Sequence, residues 1–342
     1  MPKKLTLSLA VGGCVSVLAL YLSLRNVPLA ELAAYFRQVD YLWMGPAVIV
    51  ALASFVVRVW RWQVILGDTP RVDFWSAYHP LMIGFMINCV LPGRVGEVAR
   101  PAILKSRSGV PFSKGLATVA AERAFDMLIL VAAFVGILAF VEIDPAFQVR
   151  FGELTLNTAL LERVAVGTSR LGAVLLLGIA LVSVDRSRGW INELIAWTAR
   201  RLAFGPPKVR GVITGCGDLI IGLNENFAAG FGLIKEPRRL VTCSLLSVLV
   251  WGIGVGSYYL VGRGCPQVEL SYAQWFAVLV MICFFIALPS VPGYWGLWEA
   301  GGFFALRLFG VPPEAAAGAT LLNHALQVLL SLIHISEPTR QV

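Results

Sequence analysis

Charge is what this sequence has least of for its size. Asp, Glu, Lys and Arg make up 14% of its 342 residues, where a soluble domain carries about a quarter. That scarcity excludes a water-solvated globular surface, and the mean hydropathy of +0.76 agrees. Histidine is scarce too: His79, His324 and His334 are the three in the chain, and they lie too far apart for a metal cluster. None of the six cysteines (Cys14, Cys89, Cys216, Cys243, Cys265 and Cys283) stands in a CxxC pair or within ligand spacing of a histidine. A disulfide framework and a zinc site are therefore not expected. No basic motif or recognition fold accompanies the net charge of +8, so nucleic acid is not an expected partner. Nothing in the chain calls for a cofactor.

What is present is apolar sequence from end to end. The runs are near 20 residues, the length of a spanning helix, and the alternating ten-residue segments of a β-barrel are missing. Helix also satisfies its own backbone hydrogen bonds where no water reaches. The expected fold is all-α, a single polytopic helical bundle over residues 1–342 with about seven or eight hydrophobic segments. Lys3 and Lys4 precede the first run, Leu5 to Leu24, which lacks an A-x-A cleavage site and is read as a span with its N-terminus inside. Pro28 to Tyr41 reads as a short interfacial segment and Trp43 to Trp60 as the second span, with Arg58 and Arg61 marking its exit. Trp43, Trp60, Trp62, Trp275 and Trp298 read as interfacial anchors. Between 185 and 239, nine Lys/Arg stand against five Asp/Glu. That excess marks a cytoplasmic connector, and Trp190 to Leu202 within it is amphipathic. A multi-pass protein of a bacterial inner membrane is the expected localisation.

Two regions echo each other about 200 residues apart, in 70–141 and 272–333. Pro92-Gly93 with Gly96 matches Pro292-Gly293 with Gly296, each break interrupting an apolar run, and Glu97 and Glu299 follow. Gly109-Val110-Pro111 matches Gly310-Val311-Pro312. The stretch Ala121 to Leu128 then aligns with Leu322 to Leu329, polar positions on polar positions. The topology above makes the copies an inverted repeat of Pro-Gly-broken, re-entrant segments. Such repeats point to a transporter site at the repeat interface.

Charges at bilayer depth cost about 2.5–3.5 kcal/mol each even on the lenient insertion scale, so they are functional by default. Glu122 and Asp126 share one helical face, and Arg123 can pair sideways. Arg94, Glu97 and Arg100 share a stripe if the chain is helical after Gly93. Guanidinium groups of Arg94, Arg100 or Arg123 suit a lipid phosphate. Glu97, Glu122 and Asp126 suit a cationic headgroup or proton carriage. The blander alternative is that these charges only pair with one another and pin the helices. Asn88 is expected to face the interior, and Glu299 joins the set of substrate-binding residues. Asn323, His324 and Gln327 fit interhelical hydrogen bonding. No nucleophile or metal set accompanies the carboxylates, so no catalytic residue is assigned.

Gly84-Phe85 with Asn88, Leu91-Pro92-Gly93-Arg94, Gly96-Glu97, Arg100, Glu122-Arg123 and Asp126 together resemble the lysylphosphatidylglycerol synthase transmembrane-region family, also called flippase-like or UPF0104. Pro289, Pro292-Gly293, Gly296 and Glu299 fit its second signature. The resemblance covers nearly the whole chain. It implies a translocase of an aminoacylated phosphatidylglycerol or of another phospholipid or lipid-linked sugar. The synthase activity of bifunctional members belongs to a separate soluble domain, and none follows the last run here. A non-transporting partner of a lipid- or glycan-synthesis enzyme is the alternative, and a membrane-embedded headgroup enzyme a third. Ser331 to Val342 departs from the family and resembles a translated sequencing adapter, which would make 331–342 non-native and His334 uninformative.

Overall fold

The structure is a computed structural model. It describes residues 13–333 apart from 22, 24, 26, 68–71, 141–147, 152–153, 205–206 and 289–290. The first apolar run is described only from Gly13, and is helical through Tyr21. The adapter-like tail from His334 onward lies outside the described residues.

Twelve longer helices follow among the described residues: α1 Leu29–Gln38, α2 Met44–Leu66, α3 Phe74–Val90, α4 Gly96–Ser108, α5 Phe112–Phe140, α6 Thr158–Ser183, α7 Asp185–Leu202, α8 Pro207–Gly230, α9 Pro237–Arg263, α10 Tyr272–Ile286, α11 Leu297–Leu308 and α12 Pro313–Ile333. Tyr41–Leu66, Val166–Ser183, Pro237–Arg263 and Pro313–Leu332 are long and apolar enough to cross a membrane. The fold is that of an all-α polytopic membrane protein. One short antiparallel hairpin, Gln148–Phe151 with Leu154–Asn157, interrupts it before α6. The basic stretch after α6 is two helices, α7 and α8, packed on each other, and α8 also packs on α5.

The most extensive packing joins α2 to α9. Ser257 donates to the Ala47 carbonyl at one end (3.0 Å) and Arg239 to the Val64 carbonyl at the other (3.2 Å). Ascending numbers on one helix thus face descending numbers on the other, and the pair is antiparallel. Around it the same element order occurs twice. A helix (α3, α10) runs to a Pro-Gly break, a short helix (α4, α11) returns against it, and a long helix (α5, α12) follows. The local backbone repeats with it. Gly93 (φ 78°) and Arg94 (φ 55°) are both left-handed, as are Gly293 (φ 69°) and Tyr294 (φ 63°). Gly109 (φ 67°) and Gly310 (φ 75°) close α4 and α11 in the left-handed conformation that glycine adopts without steric cost. The valines after them, Val110 and Val311, are both buried. Each break is also tied at its glycine amide: Gly96 N–H donates to Asn88 Oδ1 (2.8 Å) and Gly296 N–H to Glu299 Oε2 (2.7 Å).

The return of α4 against α3 depends on two facing glycines. A Cβ on Gly96 would lie 1.9 Å from the Gly84 carbonyl oxygen. Gly96→Ala is expected to part the two helices and cost at least about 1–3 kcal/mol, the usual range for overpacking. Thermal unfolding of the detergent-solubilised protein reads this directly. Gly136→Ala, where a Cβ meets nothing within 4 Å, is the control and should melt as the parent does. Equal melting of the two variants would contradict the packing argument.

Candidate functional site

The helices bring their charges to one place. Arg61 on α2 is fully buried. Its Nη1 donates to Asp126 Oδ1 (2.6 Å) and its Nη2 to Asp126 Oδ2 (3.3 Å) and Glu122 Oε1 (2.9 Å). Nη1 also reaches Ser247 Oγ on α9 (3.2 Å). Only a rigid planar fork spans two carboxylates in this way. Glu122, equally buried, accepts further bonds from Arg100 Nη2 (3.0 Å) and Arg123 Nη2 (2.8 Å). Asp126 takes Trp251 Nε1–H (3.2 Å) and lies 3.3 Å from Arg123. Arg100 is closed in further, its guanidinium 4.2 Å from the centre of the Trp62 ring, and Trp62 in turn donates to Thr118 (3.0 Å). The cluster thus bonds α2, α4, α5 and α9 together. The strength of buried charge pairing is what offsets the cost of placing these groups away from water.

The span boundary drawn from Trp60 is corrected here. Arg58 and Arg61 do not mark an exit, because α2 continues to Leu66 and Arg61 turns into the bundle. Trp62 and Trp275 are not interfacial anchors: both are buried, Trp62 on Thr118 and Arg100, Trp275 against Tyr258 and Gly262. Trp298 stacks on His324 at 4.6 Å and borders a cavity. Trp60 stays exposed. Asn323 bonds its own helix, donating to the Ala319 carbonyl (3.1 Å), rather than a neighbouring one.

Beside the cluster lies a cavity of about 250 Å³ between the two broken units. Asn88, Arg94, Glu97, Arg100, Arg123 and Asp126 border it, as do His324 and Gln327 from the second unit. Glu122 and Glu299 do not; both are sealed behind its wall. Arg58, which the sequence reading had placed at a span end, borders it too. Its guanidinium lies 5.8 Å from the Phe85 ring centre, and among the described residues it has no ion pair and no hydrogen bond. Arg94 is exposed, donates to the Ile286 carbonyl (3.0 Å), and lies 5.9 Å from the ring centre of Tyr294, its counterpart in the other break. The two breaks therefore meet at the cavity. Arg123 is the partly open member of the cluster, 35% exposed and 4.0 Å from Glu97. Five guanidiniums, of Arg58, Arg61, Arg94, Arg100 and Arg123, face or back this space against the carboxylates of Glu97, Glu122 and Asp126. Positive charge is in excess. Among the described residues no group of three or more His, Cys, Asp or Glu is placed to hold a metal ion.

A multi-pass membrane protein with two broken-helix units and a cationic cavity between them is the class this geometry defines. The chain belongs to the family described as "Lysylphosphatidylglycerol synthase TM region", whose profile matches residues 6–334. It is 25% identical over 344 residues to the glycosyltransferase AglD of Haloferax volcanii, covering 95% of this chain but 53% of that protein. The chain therefore spans about half the length of that relative. It is 26% identical over 301 residues to a UPF0104 membrane protein of Methanothermobacter thermautotrophicus (82% of this chain, 80% of the relative). A UPF0104 membrane protein of Pyrococcus horikoshii is 23% identical over 282 residues (81% and 80%).

Proposed function

We propose that the cavity receives a phosphate-bearing lipid headgroup and that the protein carries such a lipid across the bilayer. The observation that carries this reading is Arg58, a guanidinium inside a spanning helix that borders the cavity and, among the described residues, makes no hydrogen bond or ion pair, with Asp126 and Glu122 acting on it only at longer range. Its donors are left open toward the cavity, and a phosphate there would accept two parallel bonds from the guanidinium. Arg94 and Arg123 supply further donors at the same space, and Glu97 stands where a cationic group on an aminoacylated headgroup would rest. Glu122, Asp126, Arg61 and Arg100 hold the wall. The reading takes the two units as inverted copies, with the basic 185–239 region on the cytoplasmic side of a cell membrane.

One finding favours a second reading. The Haloferax relative is named a glycosyltransferase, and the match covers only about half of it. On that reading the chain is a membrane module serving a lipid-linked glycan enzyme, as ligand holder or as partner.

The test is reconstitution into phosphatidylethanolamine vesicles carrying headgroup-labelled phosphatidylglycerol, with lysylphosphatidylglycerol and a polyprenyl phosphate as further probes. Faster inward–outward exchange of at least one lipid than in protein-free vesicles is the expected result. Binding without exchange favours the module reading. A lipid product of altered mass would reveal headgroup chemistry instead.

A further inference from the structure

We propose that Glu299 and His324 form a proton-binding site whose occupancy holds the second break closed, and that this proton is coupled to the ligand of the cavity. The coupling rests on the translocation reading; the proton site does not.

The hydrogens of the pair can be counted. His324 Nε2 lies 2.8 Å from the Gly293 carbonyl oxygen, and its Nδ1 lies 2.5 Å from Glu299 Oε1. A carbonyl only accepts, so Nε2 carries a hydrogen. The Nδ1···Oε1 contact then needs one more proton, either on the ring as imidazolium or on Glu299 as a carboxylic acid. In both forms the pair holds one proton beyond neutral histidine and free carboxylate. When that proton leaves, a carboxylate oxygen and a nitrogen lone pair face each other at 2.5 Å. The side chains are 1% and 2% exposed, so solvent screens this contact little. Moving the hydrogen from Nε2 to Nδ1 does not help, because Nε2 would then face the Gly293 carbonyl with no hydrogen between them. Deprotonation therefore favours a turn of the ring away from Glu299.

What turns with it is the break. Gly293 is one of three residues there with positive φ, beside Tyr294 and Gly296, and Glu299 Oε2 holds the Gly296 amide. His324 itself borders the cavity, stacked on Trp298 (4.6 Å) and beside the tilted ring of Trp295 (4.3 Å). The repeat sharpens the assignment. In the first unit Arg123 stands where His324 does, with Glu97, just after Gly96, 4.0 Å away and about a third exposed. An arginine does not release its proton. At this position the second unit carries a histidine in place of the arginine, and there both side chains are buried. Few other ionisable groups border the pair's side of the cavity. They are Cys89 from α3, Tyr258 from α9, Cys283 from α10, and Tyr294 of the break with Arg94 over its ring. The charges of the first unit border the same cavity. Among the described residues none of these makes a hydrogen bond to the pair.

Glu299→Gln isolates the proton. The glutamine amide can donate to His324 Nδ1 while its oxygen accepts from Gly296 N–H, so the closed break is satisfied with nothing left to titrate. In purified wild-type protein, tryptophan emission and the infrared carboxyl stretch are followed together from about pH 4 to 9. A transition in the wild type that E299Q abolishes is the expected result. His324→Gln, which removes the ring, should abolish it as well and serves if E299Q folds poorly. No transition, or one that both variants retain, overturns the site. Coupling is read in vesicles with labelled phosphatidylglycerol under a pH gradient. One proton per lipid gives about tenfold accumulation per pH unit, and E299Q should give none. Wild-type exchange indifferent to the gradient overturns the coupling alone. Absence of any lipid movement sinks the translocation reading, while the titration still decides the proton site.

Discussion

Arg61→Ala is expected to leave a protein that melts about 10 °C or more below the parent, or that aggregates on extraction. The side chain is fully buried and carries both bonds of the fork on Asp126, a bond to Glu122 and one to Ser247. Removing one partner of a buried ion pair costs about 3–5 kcal/mol, because the other charge stays buried without it. That is a large part of an ordinary folding stability of about 5–15 kcal/mol. Glu122 keeps Arg100 and Arg123. Asp126 keeps only the Trp251 N–H and one longer contact to Arg123, so most of the penalty falls there. Adding Asp126→Asn to the alanine variant should therefore recover part of the loss, a non-additivity that a double-mutant cycle measures. Arg61→Lys should lie between, since one ammonium on a flexible stem cannot span two carboxylates. The measurement is thermal unfolding in mild detergent, monitored by size-exclusion of the remaining soluble protein. An alanine variant that melts with the parent would show that the cluster is not what joins α2 to α5.

The charges on α5 were legible because they stood alone in an apolar run, and the breaks because proline and glycine punctuate such runs clearly. The matching motifs share a consecutive left-handed pair, Gly93-Arg94 and Gly293-Tyr294, although Gly296 has a positive φ that Gly96 lacks. Arg61 was not legible for a definite reason. A basic residue near the end of an apolar stretch usually lies at the interface, and Trp60 and Trp62 beside it strengthened that impression. The signal against it was the apolar pair Ile65 and Leu66 beyond, both buried, which keep the helix inside the bundle for another turn. Arg58, one turn earlier, was misplaced along with it. The helices between 158 and 230 were less legible, since polar residues break their apolar periodicity. Their mutual packing depends on contacts such as Asn192 and Arg188 with Glu225 (2.6 Å and 3.2 Å), which no spacing rule announces. Glu299 and His324 were visible as polar positions, but only their approach through the folded break makes them a pair.

Arg58→Ala should do the opposite of Arg61→Ala: it should leave the melting temperature unchanged and remove most of the lipid movement. The two arginines are three residues apart on one helix, yet Arg58 has no ion pair or hydrogen bond to lose among the described residues and borders open space. If it holds a phosphate, each hydrogen bond to that charge is worth about 1.5–3 kcal/mol. The variant should then exchange labelled phosphatidylglycerol roughly ten- to hundredfold more slowly, by the same arithmetic. Arg58→Glu should be slower still, since it places a carboxylate where the phosphate must sit. Arg58→Lys should retain an intermediate rate, keeping the charge and losing the fork. Two outcomes would count against the reading. Exchange at the parental rate would mean the headgroup passes elsewhere. Lower melting in step with lower exchange would mean that Arg58 is a structural charge like its neighbour. The contrast between two arginines one turn apart therefore separates a cavity that only completes a fold from one that binds.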